Sequence, residues 1–239
     1  MINNCISRGI IYSATGARFI GEAVVSAQSS LRYNHVPHLI FCDSAPPANI
    51  EGIEFVRFEP SSEPFLDKLR NIGRMPFEQT IYFDTDTYVT ANIDEMFDLL
   101  RRFDIAAAHA PGYMKCDDKG QSEAFNDFNT GVIAYRARPS IGALLATWTR
   151  LFETWAPAPP FRHPVLDQAA FRRALWESQA SFYVLSSEYN YRQTLPGRLV
   201  GRAKILHGRS TNYEKLAARL NATLGPRVFN SFPPEMLWL

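Results

Sequence analysis

The sequence predicts an α/β protein with a Rossmann-like, mostly parallel central sheet flanked by helices. In the first half of the 239 residues, short β-rich runs alternate with helical patterns, as in proteins with parallel sheets. Apolar residues at i, i+3, i+4 spacing between Ile20 and Leu31 indicate a helix that covers such a sheet. A chain of this length can bury one sizeable core, so we expect a single domain over residues 1–239.

The elements follow in chain order from the same two patterns. β-rich runs predict strands at 9–13, 38–41, 53–58, 80–83, 105–108, 130–135, 181–185 and 203–206. Apolar periodicity predicts helices at 20–31, 64–72, 93–100, 139–155, 165–176 and 213–220. The polar, glycine-containing stretch 111–126 is too long for a turn, and we expect it to form a lid that contacts an acceptor.

Composition excludes several classes of protein. With 25 basic and 24 acidic residues the net charge is +1, so we expect no nucleic-acid partner. We find no export signal and no run of 18 apolar residues, which predicts no transmembrane segment and a cytoplasmic location, with peripheral attachment at the inner membrane face left open. Three widely spaced cysteines indicate reduced thiols: Cys5, Cys42 and Cys116.

Two carboxylates follow the apolar run 81–83, in the triplet Asp84-Thr85-Asp86. Two acids separated by one residue at a strand end can direct hard oxygen ligands toward one divalent cation. A bare D-x-D pattern is weak, because surface turns contain it often. Here the flanking residues are apolar, and partly buried carboxylates require a cation or a basic partner. The triplet therefore predicts a metal site that would neutralise a diphosphate.

A set of ordered motifs resembles the glycogenin-like and bacterial lipopolysaccharide galactosyltransferase-like retaining glycosyltransferases of the GT-A fold. The motifs span residues 8–208 and include the helix bearing Lys68, the D-x-D strand and an IDELF-like helix. Further matches are Phe128-Asn129-Thr130-Gly131-Val132, Asp167-Gln168 and Ile205-Leu206-His207-Gly208. The resemblance implies a GT-A fold and transfer of a hexose from a nucleotide diphosphate sugar, with UDP-sugars favoured. The acceptor would be a glycan, a lipid-linked sugar or a small molecule.

The resemblance also implies roles for individual residues. Asp84, Asp86 and His207 would bind Mn²⁺ or Mg²⁺, and the imidazole favours Mn²⁺. Lys68 would contact the donor sugar or phosphate. The remaining candidates are nucleotide-binding residues at the end of the first strand and sugar-contacting residues near the anomeric carbon: Tyr12, Ser13, Thr15, Asn129, Asp167 and Gln168.

The chain departs from this family after His207, where the familiar Gly-x-x-Lys-Pro-Trp motif is missing. Arg209 is our candidate for the phosphate-binding lysine, because a guanidinium binds phosphate through two parallel hydrogen bonds. Reaction by front-face attack or a short-lived ion pair would retain the anomeric configuration. For the alternative double displacement, Asp167 is our candidate nucleophile.

Two other functions stay open at this point. The run from Ile81 to Thr87 also fits the D-x-D-x-T strand of haloacid-dehalogenase-like phosphatases, in which the first aspartate is a nucleophile. That motif normally lies near the start of a chain and needs a later lysine and an acidic pair. A catalytically silent protein that binds sugar nucleotides is the second alternative, because a fold does not fix a function.

Overall fold

The computed structural model describes residues 7–46, 48–110, 121–122, 124–155 and 166–230, apart from the side chain of Leu166. The strands are β1 (Arg8–Ala14), β2 (His38–Cys42), β3 (Ile53–Arg57), β4 (Gln79–Phe83), β5 (Thr87–Val89), β6 (Ile105–His109), β7 (Phe128–Arg136), β8 (Phe182–Leu185), β9 (Tyr191–Arg192), β10 (Gly197–Leu199), β11 (Ile205–His207) and β12 (Arg227–Phe229). The helices are α1 (Ala17–Leu31), α2 (Pro64–Ile72), α3 (Asp94–Leu99), α4 (Pro139–Trp155), α5 (Leu166–Glu177) and α6 (Tyr213–Leu220), and Ser187–Tyr189 form a 3₁₀ turn.

Seven strands form the central sheet in the order β3-β2-β1-β4-β7-β6-β8. Every neighbouring pair is parallel except the two that involve β7, which runs against both β4 and β6. Because β7 is reversed, its first residues lie beside the last residues of β4. The antiparallel strand therefore delivers its amino end to the edge of the sheet where the parallel strands end.

Helices cover both faces of this sheet, as the apolar periodicity predicts. Alternate β1 residues point to opposite faces, so Ile10 and Tyr12 pack toward α1 and α3 while Ile11 packs toward α2, α4 and α5. These two clusters contain most of the fully buried side chains. The predicted α/β architecture with a mostly parallel central sheet is confirmed.

A smaller sheet, in the order β5-β11-β9, stands beside the central one. Strand β11 pairs antiparallel with β5 and parallel with β9, and α6 packs on this sheet through Leu216 and Leu220. Of these strands, sequence patterning predicts only one at 203–206, and the structure has it at Ile205–His207. Strands β5 and β9 are three and two residues long, too short for alternation to be recognised.

Some predicted features lie outside the described residues. Most of the predicted lid, residues 111–120, belongs to this group, as do Cys5 and Cys116. Cys42 is buried at the end of β2, and burial raises the pKa of its thiol. Within the described part of the chain, no helix combines the length and the apolar character needed to cross a bilayer.

Candidate functional site

Three side chains with metal-ligating atoms converge at the edge of the central sheet. One ligand atom each from Asp84, Asp86 and His207 lies within 4.8 Å of the others. Nε2 of His207 is 3.4 Å from Oδ1 of Asp86 and 3.7 Å from Oδ2 of Asp84. Two carboxylates and an imidazole form a ligand set suited to a divalent cation. The structure thus brings together the three residues that the sequence predicts as metal ligands.

The backbone explains why these residues meet. Asp84 directly follows β4, and its N–H donates to the carbonyl of Gly131 in β7 at 2.8 Å. The chain then turns into β5, where Thr87 pairs with His207 of β11. The N–H of Gly208 donates to the carbonyl of Asp86 at 2.9 Å. Main-chain hydrogen bonds therefore fix both ends of the metal site, one at the central sheet and one at the smaller sheet.

A chain of amide side chains orients the imidazole of His207. Nδ1 of His207 lies 2.8 Å from Oδ1 of Asn190, while Nδ2 of Asn190 donates to Oδ1 of Asn129. Asn129 in turn donates to Oε1 of Gln168 at 3.0 Å. Because Nδ2 of Asn190 is the donor toward Asn129, its Oδ1 accepts a hydrogen bond from the N–H at Nδ1 of His207. Nε2 therefore faces the two carboxylates, where its deprotonated form can ligate a metal.

Gly131 makes room for this ring. A Cβ atom at this position would lie 1.9 Å from Cε1 of His207, far inside van der Waals contact. The glycine in the Phe-Asn-Thr-Gly-Val stretch is thus required by the close approach of the histidine rather than by an unusual backbone angle. Sequence alone does not link Gly131 to His207, because 76 positions separate them along the chain.

Lys68 lies at the other side of the site, fully paired in a buried cluster. Its Nζ is 3.0 Å from Oδ1 of Asp84 and 3.0 Å from Oδ2 of Asp167, and it donates to Thr130 at 3.2 Å. Thr130 also donates to Oδ2 of Asp167 at 2.6 Å, and Tyr82 donates to Oδ1 of Asp84 at 2.7 Å. Burial alone would lower the pKa of Lys68, but the two carboxylates raise it above its ordinary value. Lys68 is therefore a permanent cation.

Asp86 is held as an anion by its surroundings. Burial would raise the pKa of this carboxyl, but His207, Arg209 and Arg192 together lower it below its usual range. Nη1 of Arg209 is 3.7 Å from Oδ2 of Asp86, and its Nε and Nη2 both contact Glu22 on α1 at 2.9 Å. The carboxylate is thus ionised and available at neutral pH.

The residues predicted to bind a nucleotide at the end of β1 have partners inside the protein. The ring of Tyr12 is fully buried against Phe83, so it offers no exposed face on which a base could stack, contrary to the prediction from sequence. Ser13 accepts a hydrogen bond from Asn71 at 2.9 Å, and Thr15 donates to a carboxylate, Asp67, at 3.1 Å. The alternation of β1 explains the burial, because Tyr12 points toward the core beneath α1.

A cavity of about 440 Å³ opens beside the carboxylate pair. It lies between α1, the D-x-D turn and the start of α6, and its lining includes Glu22, Thr85, Arg209 and Tyr213. Thr85 donates to Oε2 of Glu22 at 3.2 Å, which ties the turn to α1. The cavity therefore adjoins both the candidate metal ligands and the candidate phosphate-binding arginine.

No protein-family model and no curated protein matches the chain by sequence. Its fold, by contrast, is shared with solved glycosyltransferases. The galactosyltransferase LgtC, in complex with donor and acceptor sugar analogs, superposes with a TM-score of 0.62 at 14% identity, covering 90% of this chain and 94% of LgtC. The chain has the GT-A fold.

Other GT-A structures agree with this assignment. Mouse xyloside xylosyltransferase 1 gives a TM-score of 0.56 at 16% identity, with 85% of this chain and 98% of the xylosyltransferase covered. The bifunctional glycosyltransferase WbbM gives 0.60 at 12% identity, with 89% of this chain and 47% of WbbM covered. The GT-A expectation drawn from the motifs is confirmed by these neighbours.

Sequence reasoning missed several residues that build the site. Asn190 orients His207, Thr130 completes the pairing of Asp167, and Glu22 anchors Arg209. Asn190 and Glu22 lie outside the metal and strand motifs, and no spacing rule connects them to the D-x-D triplet. Thr130 lies inside a quoted motif, but its partners become visible only when α2 and α5 are placed against β7.

Proposed function

We propose that this chain is a metal-dependent glycosyltransferase that moves a hexose from a nucleoside diphosphate sugar to an acceptor. The observation that carries the proposal is the convergence of Asp84, Asp86 and His207 at the edge of a GT-A sheet. In open α/β sheets, ligands collect where the parallel strands end. The GT-A neighbours are themselves glycosyltransferases, which supports sugar transfer as the reaction.

The three converging residues would hold the cation, and the imidazole nitrogen makes Mn²⁺ a better match than Mg²⁺. Such a cation would supply charge neutralisation for the diphosphate as the glycosidic bond breaks. The protein's own contribution is to keep Asp86 ionised and to hold the lone pair of His207 toward the site through Asn190. Arg209 adds a guanidinium beside Asp86 for the phosphates.

The nucleotide portion of the donor is proposed to lie in the cavity between α1 and the start of α6. The partly buried side chains of Thr85 and Tyr213 border this cavity, which adjoins the metal ligands. UDP is favoured as the nucleotide on the motif resemblance. Ser13 and Thr15 remain proposed ribose and base contacts, because they are only partly buried at the end of β1.

Gln168 is the candidate we place against the donor sugar. It is partly exposed, and its amide is fixed by Asn129, whereas Asp167 is only 3% exposed and its Oδ2 is engaged by Lys68 and Thr130. Those contacts suit Asp167 to positioning Lys68 better than to acting as a nucleophile. We therefore favour retention by front-face attack, with Gln168 contacting the sugar and Asn129, itself 3% exposed, holding Gln168 in place.

The phosphatase alternative requires Asp84 as a free nucleophile. In the structure, Oδ1 of Asp84 contacts both Tyr82 and Lys68, and Oδ2 faces His207. Oδ1 is therefore not free for attack on a phosphate ester, and Oδ2 is directed at the candidate metal position. This contact pattern favours the metal-ligand role, while a silent sugar-nucleotide-binding protein would be distinguished only by assay of transfer or donor hydrolysis.

The deciding experiment is a thermal-unfolding panel with UDP, GDP and their common sugar conjugates, each with and without Mn²⁺. A ligand present at about 100 times its dissociation constant stabilises the folded state by roughly 2.7 kcal/mol. For a domain of this size we expect a rise in Tm of about 5 to 10 °C. The rise should occur with one nucleoside diphosphate and only when Mn²⁺ is present.

The matched control is Asp86→Asn, which removes one anionic ligand while keeping the shape of the side chain. We expect this variant to unfold cooperatively but to lose the Mn²⁺-dependent shift, because an amide is a much weaker partner for the cation. Retained binding at unchanged Mn²⁺ affinity would refute the ligand assignment. No shift of the wild-type protein with any nucleotide would direct the search to phosphatase substrates.

A further inference from the structure

One guanidinium nitrogen of Arg192 has no hydrogen-bond partner among the described residues. Its Nε is buried and makes no hydrogen bond, and no carboxylate in the described residues lies within 4.0 Å of its guanidinium. A buried donor without an acceptor costs free energy, so such a group calls for a ligand or another explanation. Arginine is also the side chain whose planar donor fork matches phosphate.

The strand pairing places this arginine next to the candidate metal site. Arg192 is the second residue of β9 and lies directly opposite His207 in the parallel ladder with β11. Residues opposite each other in a ladder leave the sheet on the same face. Arg192 therefore lies on the face of the smaller sheet that carries the imidazole of His207.

Charge pairing distinguishes Arg192 from the other two cations at the site. Lys68 contacts Asp84 and Asp167, and Arg209 is bound through two nitrogens to Glu22. A divalent cation bound to the two D-x-D carboxylates would place another positive charge near Arg192. Among the described residues, no carboxylate would then be paired with Arg192. An anionic ligand at the metal would remove this imbalance, and a diphosphate is the ligand that the proposed function brings there.

We propose that Arg192 is a diphosphate-binding residue, which contacts the phosphates of the donor and of the nucleoside diphosphate that leaves. The inference rests on the proposed function and adds a binding residue outside the predicted motifs. The contact strengthens as the glycosidic bond breaks, because the leaving diphosphate carries more negative charge than the sugar nucleotide. Arg192 would therefore favour the product-like charge distribution.

The test compares Arg192→Met with Arg198→Met by calorimetric titration. Arg198 is an exposed arginine on β10 that forms no ion pair with a described residue of the site, so it controls for the loss of one positive charge. Each protein is titrated with Mn²⁺ alone, then with inorganic pyrophosphate and with UDP in saturating Mn²⁺. Arg192→Lys tests whether charge without the planar fork is sufficient.

We expect Arg192→Met to weaken Mn²⁺-dependent binding of pyrophosphate and UDP by about 10- to 100-fold, the range for a hydrogen bond to a charged group. Binding of Mn²⁺ alone should be unchanged or tighter, because a neighbouring positive charge has been removed. Arg198→Met should match the wild type, and Arg192→Lys should fall between the two.

Wild-type affinity of Arg192→Met for pyrophosphate and UDP would overturn the inference while leaving the proposed function intact. A parallel loss of Mn²⁺ and pyrophosphate binding would also overturn it, because that pattern indicates a disturbed metal site rather than a lost phosphate contact. Failure of the wild-type protein to bind either ligand with Mn²⁺ would instead refute the proposed function.

Discussion

Two buried histidines, one at the start of a strand and one at the end of another strand, have different hydrogen-bond partners. His38 begins β2 and is 1% exposed, and His207 ends β11 and is 3% exposed. Both ring nitrogens of His38 have neutral partners, the carbonyl of Val36 and the hydroxyl of Ser30, each at 2.8 Å. Only one nitrogen of His207 has such a neutral partner, and its Nε2 faces two carboxylates, 3.4 Å from Oδ1 of Asp86 and 3.7 Å from Oδ2 of Asp84.

The comparison shows that burial alone does not separate a structural histidine from a ligand. Both ring nitrogens of His38 already have hydrogen-bond partners, so the ring has no free ligand atom and its role is to join β2 to α1. The imidazole of His207 is held by Asn190 on one side and open on the other, which is the arrangement of a metal-ligating histidine. Substitutions at the two positions should therefore affect different properties.

The largest effect is expected for His207→Asn. This substitution should lower the affinity for Mn²⁺ by roughly 100-fold or more, because removing even a partner outside the ligand shell costs about 10- to 100-fold. The free energy of unfolding without metal should fall by no more than the loss of the one hydrogen bond to Asn190. Calorimetric titration with Mn²⁺ and urea unfolding in a chelator measure the two quantities.

His38→Asn is the matched control for that experiment. It should retain wild-type affinity for Mn²⁺ and lose stability, because Ser30 and the carbonyl of Val36 lose their partner. If both variants lost stability equally and neither lost metal affinity, the distinction between the two histidines would be wrong.

A smaller effect is expected for Asn190→Ala. Removing this amide leaves Nδ1 of His207 without its acceptor and frees the ring to rotate or change tautomer. We expect the affinity for Mn²⁺ to fall by about 10- to 100-fold, the usual range for a residue that orients a metal ligand. Asn190→Asp, which keeps the acceptor oxygen, should restore most of the affinity in the same titration. Equal losses in both variants would argue against the orienting role.

The central sheet was predictable because its strands and helices carry strong periodic patterns. Helix α2 begins at Pro64 and stops before Gly73, as the capping signals indicate, and α4 spans the predicted residues 139–155. The short strands β5, β9, β10 and β12 were not predicted, because two or three residues carry no recognisable alternation. They depend on tertiary pairing instead.

The candidate site was predictable only where a motif marks it. Asp84 and Asp86 can be identified as candidate ligands because they follow a buried strand, and His207 can be identified by motif resemblance. Asn190 directly follows a 3₁₀ turn and Arg192 lies on a two-residue strand, so their place beside the site depends on how β9 pairs with β11. Tyr12 is the reverse case, a residue proposed for base stacking that the structure buries, because the sequence does not show which face of β1 points into the core.

The smallest effect concerns the response of His38 to pH. Burial lowers the pKa of this histidine to about 4, despite the hydrogen bond with Val36, whereas an unfolded histidine titrates near 6.5. Between these two values the unfolded chain binds a proton at His38 that the folded chain does not. Stability contributed by the neutral ring is therefore fully present above pH 6.5 and is lost as the pH falls toward 4.

From these values, the wild-type protein should lose about 1 kcal/mol of unfolding free energy through His38 between pH 7 and pH 5.5. Urea unfolding in a chelator at both pH values, compared with His38→Asn, isolates this contribution because every other titrating group is common to the two proteins. The variant should show the shallower decline. Parallel declines would mean that His38 binds its proton equally in both states, and the contrast with His207 would then rest on metal binding alone.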